Sequence, residues 1–255
     1  MHNQPVFLHC AIMSTVATGL PMTHRRHSSA AAAIDAASIR DLPIRWAFFQ
    51  QWLRNPRAIA ALAPSSRLLA RAMIAQLPES VERIIELGGG TGVFTRALIE
   101  HGVEPDQLMV VELNGALHRM LKRHFPATLV VRGDARNLAT LVRREKFAEP
   151  SGVDAVVSGL GLLSMSRDVQ REILVAAFNV LQPSGRFIQF TYAPVGPVSR
   201  ELLDELDLSA RRASVAWFNV PPATVYVYTR NRSTAVRAVR AAARQPIGDL
   251  NKQNL

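Results

Sequence analysis

Beyond residue 40 or so, short apolar runs alternate with longer stretches in which apolar residues recur at helical spacing. The runs Arg83–Leu87, Gln107–Glu112, Thr128–Arg132, Ala155–Gly159 and Gly185–Thr191 are rich in β-branched, aliphatic and aromatic residues and predict strands. Their nearly unbroken apolar character is that of parallel strands covered on both faces. Helical periodicity over Phe94–His101, Gly115–His124 and Arg167–Leu181 fills the intervals. Val215–Phe218 and Thr224–Thr229 predict two more strands. Asn219–Ala223 between them is too short for a helix, so this pair forms an antiparallel hairpin. The expected fold is α/β: a mostly parallel seven-stranded sheet with an antiparallel C-terminal hairpin and helices on both faces.

This patterning is absent from the start of the chain. Residues 1–40 are rich in Ala, Ser and His and read as a flexible leader. Residues 41–77 form N-terminal helices, 78–232 the main domain, and 233–255 a basic tail carrying Arg237, Arg240 and Arg244. The longest apolar stretch, Val6–Leu20, is broken by His9 and falls short of the ~18 residues of a membrane span. It also lacks the basic segment that opens a signal peptide.

Charge adds a partner class. The formal net charge is +10, and Lys appears only at Lys122, Lys146 and Lys252, so the positive charge is nearly all Arg. Arg forks onto phosphate oxygens, which favours a polyanion, either nucleic acid or an anionic membrane surface. The single Cys10 excludes a disulfide framework and suits a reducing cytosol. The seven His residues show no metal-ligand spacing, and no metal is expected.

The most informative stretch joins the first strand to the first helix of the main domain: Glu86-Leu87-Gly88-Gly89-Gly90-Thr91-Gly92. Gly there permits positive φ and lets a ligand touch the main chain. The Gly88, Gly90, Gly92 spacing is not the dinucleotide pattern, whose third glycine lies three residues after the second. It matches the tighter loop of S-adenosylmethionine-dependent methyltransferases. The second strand ends in Glu112, followed by Leu113, where a carboxylate takes a ribose diol in this fold. Gly133-Asp134-Ala135 follows the third strand, where the adenine amine is read, and Ser158 closes the fourth. Glu86 either contacts the amino-acid end of the cofactor through water or fixes the glycine loop by accepting backbone N–H groups.

Together with this loop, four further stretches resemble the bacterial soluble-type phospholipid N-methyltransferases. These are Trp52-Leu53-Arg54-Asn55-Pro56 with Ala63-Pro64-Ser65-Ser66-Arg67, Val156-Val157-Ser158-Gly159-Leu160-Gly161, Phe190-Thr191-Tyr192-Ala193-Pro194, and Asn219-Val220-Pro221-Pro222-Ala223. One departure is Ala193, where that family often has Gly. The resemblance implies a Rossmann-like class I methyltransferase that uses S-adenosylmethionine to convert phosphatidylethanolamine stepwise to phosphatidylcholine. It also implies a location in the cytoplasm, peripheral on the inner membrane face. The alternatives are a ribosomal RNA adenine N6-dimethyltransferase and a non-catalytic membrane or RNA binder on the same fold. The RNA enzymes carry an Asn-Leu-Pro-Tyr type motif after the fourth strand. Here Ser158-Gly159-Leu160-Gly161 offers neither a base-gripping amide nor an aromatic platform, which argues against nucleic acid.

Transfer from a sulfonium to an amine mainly requires positioning. Tyr192, at the carboxyl end of the fifth strand, is the candidate for contacting the amine, and Trp217 is a weaker one. Trp46, Phe49 and Leu53 share one face of a predicted helix, flanked by Phe48 and Trp52, with Arg54 opposite. That stripe either lies among bilayer headgroups or covers the domain's own core.

Overall fold

The computed structural model describes residues 63–148, 152–217 and 222–231. The leader, the segment Trp46, Phe48, Phe49, Trp52, Leu53 and Arg54, and the tail from 233 lie outside the described residues.

Seven strands form one sheet: β1 (Ile84–Leu87), β2 (Leu108–Glu112), β3 (Leu129–Arg132), β4 (Val153–Ser158), β5 (Leu181–Thr191), β6 (Leu208–Ala216) and β7 (Ala223–Arg230). Their order is β3-β2-β1-β4-β5-β7-β6. The first five pair in parallel, and β7 enters antiparallel between β5 and β6. All residues of β1 and β2 are buried, as their unbroken apolar runs require.

The sheet is covered on both faces. Helices α1 (Ala63–Ile74), α2 (Val93–Glu100) and α3 (Gly115–His124) bury Leu69, Met73, Phe94, Leu98 and Leu121 against one face. On the other, α4 (Leu138–Glu145), α5 (Arg167–Val180) and α6 (Arg200–Glu205) contribute Leu138, Leu141, Ile173, Leu174 and Leu202. Helix starts follow local chemistry. Asn114 Oδ1 accepts the N–H groups of Ala116 and Leu117, so α3 begins where its sequence pattern does. Ser166 and Ser199 cap α5 and α6 in the same way.

The hairpin is longer than its apolar pattern predicts. Strand β6 begins at Leu208 rather than Val215. Its Ser209–Arg212 stretch is exposed, because β6 is the outermost strand of the sheet. The chain order reverses between β1 and β4, and β1's neighbours run outward from there. Ligands bind at such a switch point, outside the carboxyl ends of the strands.

Candidate active site

The loop leaving β1 is built to leave its main chain bare. Gly88, Gly90 and Gly92 all hold positive φ, at 73°, 54° and 81°. A Cβ at Gly89 would stand 2.5 Å from Val110 Cγ1, and one at Gly92 2.5 Å from Phe125 Cε2. Gly90 is different. A Cβ there would meet nothing nearer than Gly88 O at 3.8 Å, so its bare side faces open space. Across the switch point, a Cβ at Gly159 would come within 2.9 Å of Gly88 O, so the loops after β1 and β4 touch main chain to main chain.

Glu112, at the carboxyl end of β2, is 7% exposed. Its Oε2 accepts the Gly90 N–H at 2.9 Å and its Oε1 accepts the Asn114 N–H at 2.7 Å. Each oxygen keeps a second acceptor direction, so the carboxylate is both fixed in place and still able to receive two hydroxyls. Glu112, not Glu86, is therefore the carboxylate that holds the glycine loop.

Glu86 is fully buried in β1, and Thr95 Oγ1 donates to its Oε2 at 2.5 Å, tying β1 to the first turns of α2. Its Oε1 accepts no hydrogen bond among the described residues. Burial pushes its carboxyl up to about 8, opposed by the Thr95 hydrogen bonds and helped slightly by Glu112. Glu86 is thus neutral at pH 7.

These elements enclose a cavity of about 420 Å³. Gly88, Gly89, Gly90, Thr91, Glu112 and Leu113 line one side. The other side is formed by Leu69, Phe94, Gly159, Leu160, Gly161, Met165, Phe190 and Tyr192. Phe94 and Phe190 lie 5.8 Å apart, and Phe190 meets Tyr192 edge to face at 5.4 Å, making a continuous aromatic wall. Glu112 is the only charged side chain among the described lining residues.

The remaining predicted residues stand further off. A Cβ on Gly133 would strike Leu141 Cδ1 at 2.5 Å, so that glycine serves packing. Asp134 begins the 3₁₀ turn that starts at Ala135, and Arg136 grips it through Nε at 3.0 Å and a terminal nitrogen at 2.7 Å. Those bonds hold the Asp134 carboxyl below the usual carboxylate range. Ser158 is fully buried and its Oγ accepts the Leu160 N–H. Gly92, Gly133, Asp134, Ala135, Ser158 and Glu86 are not among the residues lining the cavity, whereas Tyr192 is. Trp217 is 69% exposed and does not line it.

The sequence analysis did not single out Leu69, Phe94, Asn114, Leu117 or Met165 as site residues. Asn114 carried a usable signal, an N-cap two residues after the strand-end acid. The others are apolar residues in apolar patterns and look like core.

The donor set fits S-adenosylmethionine. A glycine main chain faces open space, a fixed carboxylate has acceptor capacity to spare, and an aromatic wall suits a cationic centre. Among the described residues no three His, Cys, Asp or Glu side chains cluster as a metal site. No helix there is long and apolar enough to cross a membrane.

No protein-family model matches the chain. A TehB-like SAM-dependent methyltransferase from Corynebacterium glutamicum superposes with a TM-score of 0.50 at 20% identity, covering 72% of this chain and 99% of that one. This likeness shows the fold, Rossmann-like and shared with methyltransferases. An ornithine lipid N-methyltransferase from Singulisphaera acidiphila is 32% identical over 186 residues, 70% of this chain and 92% of the relative. At that identity over nearly the whole relative, the chain belongs to the lipid N-methyltransferases, a family of S-adenosylmethionine-dependent enzymes.

Proposed function

We propose that the protein methylates the amine of phosphatidylethanolamine stepwise toward phosphatidylcholine, at a membrane surface facing the cytoplasm. The observation that carries this reading is the juxtaposition, in one cavity, of the bare glycine loop and the Phe94–Phe190–Tyr192 wall. Gly159, Leu160 and Gly161, from the stretch that distinguishes the phospholipid enzymes, form part of the acceptor side. An amine on a short tether fits there. A flipped nucleobase would find no side-chain amide on the Gly159–Gly161 stretch to read its edge.

In this reading Gly88–Gly92 and Glu112 hold the cofactor, with Asp134 toward its adenine. Bound there, S-adenosylmethionine supplies an activated methyl group. The aromatic wall orients the acceptor amine and excludes water from it. Burial in that apolar wall lowers the amine's pKa, so on entry it gives its proton to bulk water and presents a lone pair. Glu112 is the one acidic side chain of the described lining, on the glycine-loop side of the cavity. After transfer the ammonium rests against Tyr192 and Phe190. The Trp46–Arg54 segment serves as an interfacial anchor in this proposal.

A second acceptor has specific support. The Singulisphaera relative is an ornithine lipid N-methyltransferase, and ornithine also carries an amine on a short aliphatic tether. Labelled S-adenosylmethionine given with vesicles of phosphatidylethanolamine, and separately with vesicles containing ornithine lipid, decides between them. Label is expected on the ethanolamine lipid. Label on ornithine lipid alone establishes the second acceptor, and label on neither removes both.

A further inference from the structure

Four large apolar side chains are strongly exposed among the described residues: Leu68, Leu113, Val195 and Trp217, at 40%, 65%, 45% and 69%. Scattered singly, such residues call for no explanation. Here they gather on one edge. Leu113 directly follows β2 and lines the cavity. Leu68 precedes Leu69, the α1 residue that reaches the cavity. Val195 lies in the loop that leaves β5 through Tyr192. Trp217 follows the last residue of β6. Because Val215 pairs with Thr224 and Thr224 with Thr191, β6 ends at the same edge as β5. All four therefore stand at the carboxyl edge of the sheet, the edge that carries the cavity.

We infer that this edge is a docking face for the surface of a lipid bilayer, with Leu68, Leu113, Val195 and Trp217 set among headgroups. The inference rests on the lipid-methylating function proposed above and adds the surface and the orientation. Size argues first. A cavity of about 420 Å³ is in the range that holds one drug-sized ligand, roughly 300–1,000 Å³. It cannot take a cofactor, a headgroup and two acyl chains, so the tails stay in the membrane while the amine reaches Tyr192. The cavity must then open toward the bilayer.

The distribution argues next. A protein partner is held by a contiguous apolar patch with a dry centre. Here the apolar residues are set apart along the edge that carries the cavity, and a protein seated across them would cover the route of the acceptor. A fluid bilayer supplies the acceptor by that same route. Trp is the residue favoured at headgroup depth, its ring apolar and its N–H wet, and Trp217 is the most exposed of the four. Exposed Arg67 beside Leu68, and Arg200 at the start of α6, add attraction for anionic lipid.

The test combines Leu68→Ser, Val195→Ser and Trp217→Ser, none of which lines the cavity. Sedimentation with vesicles of phosphatidylethanolamine and phosphatidylglycerol reads docking. Transfer to a short-chain, water-soluble form of the lipid acceptor reads the site. The triple variant is expected to lose roughly tenfold or more in vesicle partitioning, with its melting temperature and its transfer to the soluble acceptor unchanged. Trp217→Ser alone moves the same way by a smaller factor. Wild-type partitioning in the triple variant overturns the inference. Equal loss on vesicles and on the soluble acceptor also overturns it, since the three side chains would then support the cavity itself. So does a wild-type dimer that the triple variant dissociates, which assigns the face to a second copy. A wild type that methylates neither acceptor removes the lipid reading instead, while sedimentation still judges the face.

Discussion

On the β1–β2 side of the cavity the surface offered to a ligand is largely main chain. Gly88, Gly89 and Gly90 present bare backbone, and Glu112, held by two N–H groups, adds one fixed carboxylate. On the β4–β5 side it is mostly side chain: Phe94, Phe190, Tyr192, Leu69 and Met165 come from three helices or strands and two loops. A main-chain surface tolerates almost no substitution, because what it needs is the absence of a Cβ. A side-chain surface is adjustable, since volume-conserving changes in such a wall are tolerated. The first half suits a ligand common to all methyltransferases of this fold. In the proposed function, the second half sets the acceptor.

Three experiments press on that division. The largest effect is expected from Gly90→Val. Its side chain would enter open ligand space at a φ of 54°, so cofactor affinity should fall at least about a hundredfold by calorimetry. Melting should drop only a few degrees, since no neighbour is displaced. Near-normal affinity would show that the bare loop does not face the cofactor.

Next is Glu86→Gln, which probes the link behind the main-chain half. The Glu86 carboxyl sits at about 8 in the folded chain and near 4.5 when unfolded. Between those values the unfolded chain releases a proton that the folded chain retains, so wild-type stability declines as pH rises from 4.5 to 8, then levels off. Gln keeps an acceptor for Thr95 and does not titrate. The variant should gain a few kcal/mol over wild type by pH 8 and show no advantage at pH 4. Parallel stability curves across that window would mean Glu86 is not held neutral.

The smallest effect is expected from Tyr192→Ala. The acceptor KM should rise about fivefold, near 1 kcal/mol, with cofactor affinity unchanged. If cofactor affinity falls equally, the two halves are not separable.

The main-chain half was legible in the sequence, because positive φ and close approach leave a mark that only glycine satisfies. Glu112 was legible because a buried strand ending in an acid needs a reason. Helix α3 was legible to the residue from its helical periodicity over Gly115–His124, and the Asn114 cap fixes that start in the fold. The side-chain half was not legible beyond Tyr192: Leu69, Phe94 and Met165 obey the same periodicity as residues that only fill the core. Strand β6 was cut short for the opposite reason. Its Ser209–Arg212 segment faces solvent and lacks the apolar alternation by which strands are recognised. Asp134 shows a third case, where the register predicted a ligand contact and the fold adds Arg136 as a resident partner.

Under the proposed docking, strand β6 has a further consequence for a protein concentrated on a flat surface. An outermost strand carries unpaired backbone groups, and crowding in two dimensions would bring such edges together. This edge bears exposed Arg211 and Arg212, and its register shifts just after them, between Arg212 and Ser214. Like charges and an interrupted ladder discourage a second sheet from adding to the first. The opposite edge, β3, is only four residues long. Copies packed side by side should stay individually mobile rather than join into fibres, so a high surface density of the enzyme need not come at the expense of its solubility.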